Sequence, residues 1–377
     1  KYQIRDTKYQ IPILSYPEAL GELTKKYFTI AVSGSHGKST TTAMIANILI
    51  KAGLDPTVII GTKLKEFGNP TLSLSNGSNF RPGKSEYLII EADEWNASFL
   101  NYWPKMIVLT NIDKEHLDYY KNLNHIVRTF REYVGHLPKE GTLVANGDDK
   151  NTQEMLNRRL KIQDSRLKVS YYGKKLKSEI LKLKSILKVP GEHNVYNALA
   201  ALSAARALNI PDKISFKALS EYRGAWRRFE VIGKFKGATV ISDYAHHPTE
   251  IKATLAAARQ KYPGKEIWCV FQPHQMQRTK YLFKDFTGAF DDADKIFLLD
   301  IYGVAGREKS ANWRRNGDVS SGKLARAIKK RGKDINYFRD FNATVGALKP
   351  DTDRNKVILV MGAGDIWKIG KHLTSNN

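Results

Sequence analysis

The stretch that decides the fold is YFTIAVSGSHGKSTTTAMIANILIKA, residues 27–52. Its apolar start predicts a strand over residues 27–32, and apolar side chains at helical spacing predict a helix over about residues 38–52. The side chains that share one face of this helix are Met44, Ile45, Ile48 and Leu49. The connecting loop is rich in glycine, which lets the backbone wrap closely around an anion. A strand, a glycine-rich loop and a helix N-terminus in this order predict a phosphate-binding site.

Within this loop we predict that Lys38 reaches the outer phosphates of a nucleotide and that the hydroxyl of Ser39 binds Mg²⁺. The strict P-loop pattern has a glycine at position 32, where this chain has Val32, so the match is incomplete. The alternative is a Gly-Lys-Ser turn that opens a helix by chance. The order of strand, loop and helix favours the phosphate loop.

Strand-like apolar runs alternate with helical patterns along the whole chain, which predicts parallel sheets covered by helices. The first series continues with strands and an alanine-rich helix at residues 87–90, 106–109, 142–145 and 194–208. A second series of the same kind follows. We therefore predict an α/β protein with a P-loop-type parallel-sheet domain at residues 21–215 and a Rossmann-like α/β domain at residues 216–377, preceded by a linker at residues 1–20.

The composition excludes several classes of protein. Of the 377 residues, 42% are hydrophobic and 10% are aromatic, which is typical of a globular protein and too much for disorder. The longest apolar runs, such as residues 296–299 and 357–361, are far shorter than a membrane span, so we expect no membrane insertion. The single cysteine, Cys269, lies in an apolar run. We expect a reduced, buried thiol and hence a cytoplasmic protein.

The charge is strongly basic. Sixty-one Lys and Arg against 38 Asp and Glu give a net charge of +23, which is enough to suspect a nucleic-acid partner. The excess is spread along the chain, however, and the sequence has no basic stripe interleaved with aromatic residues for base stacking. We therefore expect no nucleic acid. A lysine-rich background or the attraction of anionic substrates explains the charge as well.

Acidic and histidine residues directly follow two later strands of the first series. Glu91 opens an acidic run after one strand, and His116 comes shortly after another. Because ligands of open parallel sheets bind beyond the carboxyl ends of the strands, we expect Glu91 and His116 to converge with Ser39 near the phosphates. A histidine such as His116, taken alone, is more often a capping or core residue. Taken alone, acidic residues in such loops are more often exposed to solvent than bound to a metal, and this alternative applies to Asp93, Glu94 and Asp113.

Eight different short motifs follow one another along the two series of strands and helices. The first four are GSHGKSTT (34–41), EADE (91–94), NIDKEHLD (111–118) and GEHNVYNA (191–198). The last four are RRFE (227–230), DYAHHPTE (243–250), FQPH (271–274) followed by RT (278–279), and MGAGDI (361–366). In order and spacing they resemble the Mur ligase family over essentially the whole chain. Within that family they are most similar to the member that adds L-alanine to UDP-N-acetylmuramate.

This resemblance implies an ATP- and Mg²⁺-dependent ligase of peptidoglycan precursor synthesis, which joins L-alanine to the carboxylate of UDP-N-acetylmuramate through an acyl phosphate. The implied catalytic residues are Lys38, Glu91 and His116. Ser39 and Glu91 are implied as ligands of one Mg²⁺ and His116 of a second. The implied nucleotide-binding residues are Gly34, Ser35, His36, Gly37, Lys38, Ser39, Thr40, Asn194, Asn197, Arg228 and Asp243. The implied amino-acid pocket is lined by Tyr244, His246, His274 and Arg278.

The chain departs from the family pattern in three places. Family members begin with a Rossmann-like domain for the UDP moiety, whereas residues 1–15 resemble only the exit from it, so we expect this chain to lack that domain. Trp95-Asn96 replaces a small-acidic pair, which changes the expected contacts to the muramyl part. Gln275 stands where an arginine is usual, and glutamine lacks a charged fork for a carboxylate. Two alternatives follow: a Mur-type ligase for another amino acid or acceptor, and a non-catalytic ATP-binding module.

Overall fold

The computed structural model describes residues 13–67, 77–157, 167–304 and 319–375. The chain divides into two compact units. The first unit comprises Lys1–Ile186 and Tyr196–Glu221, and the second comprises Leu187–Val195 and Tyr222–Asn377. Each unit is built around its own sheet, as the two alternating series of strands and helices predict.

The first unit contains a seven-stranded sheet in its described part. Its strands are β1 (Phe28–Ser33), β2 (Thr57–Leu64), β3 (Ser78–Arg81), β4 (Tyr87–Glu91), β5 (Met106–Leu109), β6 (Thr142–Asn146) and β7 (Lys168–Tyr172). The helices up to its end are α1 (Tyr16–Lys26), α2 (Lys38–Lys51), α3 (Leu123–Val134), α4 (Lys150–Asn157), α5 (Lys177–Ile186), α6 (Glu192–Ala207) and α7 (Asp212–Glu221). The strand order is β3-β2-β4-β1-β5-β6-β7, and β3 alone runs antiparallel to its neighbour in this described sheet. The parallel sheet predicted from the alternation is confirmed.

Helix α2 shows why the opening stretch folds as it does. Gly37 precedes the helix with a φ of 83°, a left-handed conformation that glycine adopts without strain. The four predicted core side chains are fully buried, and each contributes about 1.5–3 kcal/mol through the hydrophobic effect. Thr41 and Thr42 are also fully buried, so the helix is enclosed on more than its apolar face.

The second unit contains a six-stranded sheet in its described part. Its strands are β8 (Glu230–Phe235), β9 (Ala238–Asp243), β10 (Glu266–Phe271), β11 (Lys295–Leu299), β12 (Asp334–Phe338) and β13 (Lys356–Met361). The helices are α8 (Pro248–Lys261), α9 (Met276–Tyr281), α10 (Phe283–Thr287), α11 (Ser321–Lys329), α12 (Phe341–Leu348) and α13 (Trp367–Ser375). The order is β12-β11-β10-β13-β9-β8, with β8 antiparallel to β9. Cys269 is fully buried in β10, as expected from its apolar surroundings.

Several helices begin at a side chain that satisfies an otherwise unpaired backbone N–H. Asn122 caps α3, Ser320 caps α11 and Asp340 caps α12, each by accepting a hydrogen bond from the backbone nitrogen three residues later. Such caps help to fix where each helix starts relative to the strand before it.

The division between the units falls after Glu221, later than the boundary expected near residue 215. Residue 215 lies inside α7, and this helix packs against α2 and α5 of the first unit. The short segment Leu187–Val195 belongs to the second unit, although it precedes most of α6. The pause in the sequence pattern therefore marks a helix and a turn, and only the packing shows to which unit each belongs.

The motif-bearing strands are neighbours in both sheets. In the first sheet β1 lies between β4 and β5 and is parallel to both. In the second sheet β13 lies between β10 and β9 and is parallel to both. Since parallel strands end at the same edge, the residues after β1, β4 and β5 lie at one edge of the first sheet, and those after β9, β10 and β13 lie at one edge of the second.

Candidate active site

The loop of residues 34–40 after β1, hereafter the phosphate loop, requires glycine at two positions. Gly34 has a φ of 129° and Gly37 a φ of 83°. A Cβ atom at Gly34 would collide with the hydroxyl of Thr110, and one at Gly37 would collide with the amide oxygen of Asn197. The loop is therefore pressed against the residues after β5 and against α6, and the N-terminal end of α2 opens directly from it.

Two further residues of the phosphate loop are held by the segment after β5. The backbone nitrogen of His36 donates to Asn111 Oδ1 at 3.0 Å, and His36 Nε2 lies 2.9 Å from Asp113 Oδ2. The hydroxyl of Ser35 accepts a hydrogen bond from the backbone nitrogen of Asp113 at 2.8 Å. These contacts fix the loop backbone, so its N–H groups keep a defined direction.

Lys38 forms a buried ion pair. Its Nζ donates to Gly34 O and to Glu94 Oε2, each at 2.7 Å. Burial favours the neutral amine, but the negative charges of Glu94, Asp93 and Glu91 outweigh it, and the pKa of Lys38 is raised above its ordinary value. Burial shifts the pKa of Glu94 upward, but the neighbouring ammonium of Lys38 opposes that shift and favours the carboxylate. Lys38 is therefore a permanent positive charge at the phosphate loop.

Ser39 and Glu91 are brought together as the sequence predicts. The hydroxyl of Ser39 donates to Glu91 Oε1 at 2.9 Å, and Glu91 Oε2 accepts from the backbone nitrogen of Gly61 at 2.8 Å. Neighbouring oxygens around a Mg²⁺ ion bound at about 2.1 Å lie about 3 Å apart. The two oxygens are hard ligands at a spacing that fits this ion. The adjacent Thr40 is buried in the first turn of α2.

His116 lies at the same edge of the sheet. The sequence analysis placed it with Glu91, whereas the acids that it faces are Glu94 and Asp93. Its Nε2 is 3.6 Å from Glu94 Oε1 and 4.0 Å from Asp93 Oδ1. Glu94 is only 1% exposed, so it is not the solvated loop acid that its sequence position favoured. Its place three residues after the end of β4, at the edge where the phosphate loop lies, is the signal that could have identified it.

Of the two asparagines on α6, Asn197 is next to the phosphate loop. Its Oδ1 accepts a hydrogen bond from the Thr41 hydroxyl at 3.3 Å. Asn194 lies one turn earlier, and its Nδ2 donates to Pro190 O at 2.7 Å. That bond ties Asn194 to the turn before the helix. The role of both residues in adenine binding stays a prediction.

In the second unit, Asp243 ends β9 and organises the backbone around it. Its two carboxylate oxygens accept from the backbone nitrogens of Phe229 at 2.7 Å and Ala245 at 2.8 Å. Burial raises the pKa of Asp243, although these hydrogen bonds oppose the rise. The guanidinium of Arg228 lies 4.9 Å from the centre of the Tyr244 ring. These contacts hold the turn after β9 in place, and the contact of Asp243 with a ribose stays a prediction.

The four predicted pocket residues form one continuous group. The ring centres of Tyr244 and His246 are 5.3 Å apart, and those of His246 and His274 are 5.9 Å apart. Arg278 is 8% exposed, and its Nη1 donates to His274 O at 3.0 Å. The sequence analysis missed Tyr302, whose ring stacks on His274 at 5.5 Å and 11°.

A second residue that the sequence analysis did not single out is Arg227. It is 4% exposed, and its guanidinium donates to the carbonyl oxygens of Gly362 and Gly364. Burial lowers the pKa of Arg227 to about 10. The guanidinium also lies 5.0 Å from the centre of the Tyr244 ring. It thus links the segment after β13 with the segment after β9.

Gln275, the position of the unusual residue, is buried and conformationally restricted. It is 4% exposed and has a φ of 68°, a region that side-chain-bearing residues rarely adopt. Its backbone nitrogen donates to Tyr302 O at 2.9 Å, and its Nε2 has no hydrogen-bond partner among the described residues. The other unusual residue, Trp95, opens the 3₁₀ segment Trp95–Asn101, and its backbone nitrogen donates to Asp93 Oδ1 at 3.3 Å.

No helix among the described residues is long and apolar enough to cross a membrane.

Comparison with known families covers both units. The Mur ligase middle domain matches residues 32–205, and the Mur ligase, glutamate ligase domain matches residues 227–364. The UDP-N-acetylmuramate–L-alanine ligase of Caldanaerobacter subterraneus subsp. tengcongensis is 41% identical over 384 residues, covering 97% of this chain and 80% of that protein. The protein of the same name from Clostridium acetobutylicum is 42% identical, with 98% and 80% covered.

Solved structures show the same fold at lower identity. The UDP-N-acetylmuramate-alanine ligase MurC of Thermotoga maritima aligns with a TM-score of 0.70 and 23% identity, over 95% of this chain and 77% of that one. The MurF ligase of Thermotoga maritima in complex with ADP aligns with a TM-score of 0.67 and 17% identity, over 100% and 88%.

Proposed function

The chain belongs to the Mur ligase family, and on that premise we propose that it joins L-alanine to the carboxylate of UDP-N-acetylmuramate with cleavage of ATP to ADP and inorganic phosphate. The observation that carries this proposal is the identity of 41–42% to ligases of that name over nearly the whole chain. The phosphate loop with its buried Lys38 and the histidine–arginine group of the second unit support it. ATP and UDP-sugars are cytoplasmic metabolites, so the proposal includes a cytoplasmic location.

Mur ligases are ATP-dependent, and we place the ATP phosphates in the phosphate loop. The backbone N–H groups at the start of α2 and the ammonium of Lys38 offer positive charge to them. Ser39 and Glu91 are the residues that would hold Mg²⁺, since their oxygens are 2.9 Å apart. When bound, this ion neutralises charge that develops on the phosphoryl oxygens.

The reaction then needs little covalent participation by the protein. The muramate carboxylate attacks the γ-phosphorus of ATP, which forms an acyl phosphate and releases ADP. The amine of L-alanine attacks the acyl carbon, and the tetrahedral intermediate collapses to the amide and inorganic phosphate. Lys38 stays protonated throughout because the acids around it raise its pKa, so it stabilises the negative charge that moves onto ADP.

We assign the carboxylate of the amino acid to the group around Arg278. This guanidinium is nearly buried and is oriented by its bond to His274. A buried and fixed guanidinium binds a carboxylate strongly, because both its charge and its geometry are preorganised. His246 and Tyr244 complete the wall of the pocket through their ring contacts.

One observation favours a second candidate, a ligase of the same type for a different amino acid. The neutral Gln275 stands at the position where the family pattern has an arginine, within the same group of residues. Measuring ADP release with each of the common amino acids in turn separates the two candidates. A better substrate than L-alanine would change the assigned amino acid and leave the ligase assignment in place.

The test of the proposed function uses the full-length protein with ATP, Mg²⁺, UDP-N-acetylmuramate and L-alanine. We expect ADP release and a product with the mass of the amide, both of which require all three substrates. Lys38→Ala should be inactive. Lys51→Ala should be fully active, since Lys51 forms an exposed pair with Glu221. ATP binding without any amino-acid-dependent product would favour a non-catalytic module.

A further inference from the structure

Tyr302 lies just beyond the end of β11, and both its backbone and its ring contact the segment around His274, which follows β10. The backbone nitrogen of Tyr302 donates to Pro273 O at 2.8 Å, and its carbonyl oxygen accepts from the backbone nitrogen of Gln275 at 2.9 Å. These two bonds form a short parallel bridge between Tyr302 and His274. The two rings stack, with their centres 5.5 Å apart and their planes at 11°. Backbone and side chain of Tyr302 thus act on the same residue.

The segment after β13 restricts the ring of Tyr302. A Cβ atom at Gly364 would lie 2.7 Å from Cγ of this ring, so the backbone at Gly364 is in direct contact with it. The carbonyl oxygen of Gly364 in turn accepts a hydrogen bond from the buried guanidinium of Arg227 at 3.1 Å. Because protein interiors are close-packed, a neighbour fixed in this way leaves the ring little room to move away from His274.

His274 is also held at its Nδ1 atom. This nitrogen lies 3.3 Å from Arg278 Nη1, which also donates to His274 O at 3.0 Å. A guanidinium has donors and no acceptor, so Nδ1 is the acceptor of this bond. The imidazole of His274 is therefore neutral and carries its proton on Nε2. Since one nitrogen of the guanidinium is bound to the backbone and the ring of His274, the direction of the guanidinium depends on where this ring lies.

We propose that Tyr302 is a positioning residue for the amino-acid substrate. Its ring fixes the imidazole of His274, and the imidazole orients the guanidinium of Arg278 toward the carboxylate of the amino acid. The inference rests on the proposed function, in which Arg278 binds that carboxylate. Tyr302 itself needs no contact with the substrate. Hydrogen bonds weaken as their angle departs from linearity, so a displaced guanidinium should bind the carboxylate less tightly even though its charge remains.

The ring of Tyr302 carries this role and its hydroxyl does not, so two exchanges should differ. Tyr302→Phe keeps the stack on His274 and should leave the KM for L-alanine unchanged. Tyr302→Leu removes the stack and should raise that KM about 3- to 10-fold, the factor that corresponds to the energy of an aromatic pair. The KM values for ATP and for UDP-N-acetylmuramate should stay the same in both variants. Steady-state kinetics of the full-length protein measure all three constants.

Nitrogen NMR of protein labelled with ¹⁵N-histidine gives a readout that a merely structural role of Tyr302 would not move. The wild type should show His274 as a neutral imidazole with its proton on Nε2, and His274→Gln identifies the signals of this residue. Tyr302→Phe should keep that tautomer. Tyr302→Leu should show averaged shifts of the two tautomers, because the ring is then free to leave Arg278.

The matched control is Tyr281→Leu, the same exchange at a residue of α9 that is 57% exposed, and it should leave all three KM values unchanged. A folded Tyr302→Leu with an unchanged KM for L-alanine would overturn the proposal, and so would an equal rise of all three KM values. A proton on Nδ1 of His274 in the wild type would overturn it as well, whether or not the variants fold. A wild type that forms no amide from L-alanine contradicts the proposed function itself, whereas an active wild type with one of these outcomes contradicts only this inference.

Discussion

Each unit of the protein buries a cation next to its candidate site, and the two cations respond to burial in opposite ways. Lys38 is paired with a carboxylate, and its pKa is raised. Arg227 is held by carbonyl oxygens, and its pKa is lowered to about 10. A full negative charge outweighs the loss of hydration, whereas backbone dipoles do not. The charge of Lys38 is therefore compensated by an acid in direct contact, whereas the charges of Asp243 and Asp365 offset the burial of Arg227 only in part.

The largest effect should follow from removing the cation of the buried pair. Lys38→Met leaves Glu94 buried without its partner, which should destabilise the first unit by about 3–5 kcal/mol. The same change should weaken ATP binding at least about 100-fold, since it removes a charged hydrogen bond to the phosphates. Urea unfolding and calorimetry measure the two quantities.

The control for this change is Lys51→Met, which breaks the exposed pair with Glu221 and should leave the free energy of unfolding nearly unchanged, because solvent screens that pair. Equal ATP affinity in Lys38→Met and the wild type would refute the phosphate-loop assignment.

The next effect concerns a partly buried histidine of the second unit, His193. Burial lowers the pKa of His193 to about 4, and Glu250 opposes this only in part. The unfolded chain binds the proton near pH 6.5, but the folded chain does not until near pH 4. Stability should therefore fall as the pH falls from 6.5 to 4, by about 3 kcal/mol from this residue.

The measurement for His193 is the free energy of unfolding of the wild type and of His193→Gln at pH 7 and pH 4.5. The variant should lose less stability over that interval than the wild type does. An equal loss in both proteins would mean that His193 does not resist protonation.

A smaller effect should follow from replacing the carbonyl-bound cation. Arg227→Met keeps an apolar side chain of similar length but leaves the carbonyl oxygens of Gly362 and Gly364 without that donor. We expect a destabilisation of about 1–3 kcal/mol, less than for Lys38→Met, since no buried acid loses its partner. Thermal and urea unfolding give the comparison. A larger loss than that of Lys38→Met would reverse the contrast between the two cations.

The smallest effect concerns the amino-acid pocket. Gln275→Arg should lower the KM for L-alanine several-fold, because a charged donor to a carboxylate is stronger than a neutral one by about 1 kcal/mol. Arg278→Ala should raise the same KM steeply. Both are measured in the full-length enzyme at saturating ATP and acceptor. An unchanged or higher KM in Gln275→Arg would mean that the pocket binds the carboxylate elsewhere.

The features that could be predicted from the sequence are those that depend on neighbouring residues. Glycines at positions 34 and 37 are needed for the local backbone, and the apolar runs of β1, β4 and β5 are visible directly. The pairing of Ser39 with Glu91 could also be expected. Ser39 follows β1 and the phosphate loop, Glu91 ends β4, and these two strands are parallel neighbours. The family motifs added the pocket residues of the second unit, which the structure brings together.

The features that escaped prediction depend on residues far apart in the chain. Glu94 was expected in solvent, yet it is buried against Lys38, 56 residues away. Tyr302 belongs to no motif, and it supports both His274 and Gln275 from the end of another strand. The unit to which α7 belongs was likewise decided by its packing on α2.

The sequence by itself determined two α/β units, a phosphate loop and the family to which they belong, because each is written in local patterns of glycine, charge and apolar spacing. Only the tertiary structure decided which acids are buried, which atoms they face and which partner each cation has. Those properties follow from the order β4-β1-β5 in one sheet and β10-β13-β9 in the other. Strand order brings distant segments within hydrogen-bond distance, and burial then sets the strength of each charge that they carry.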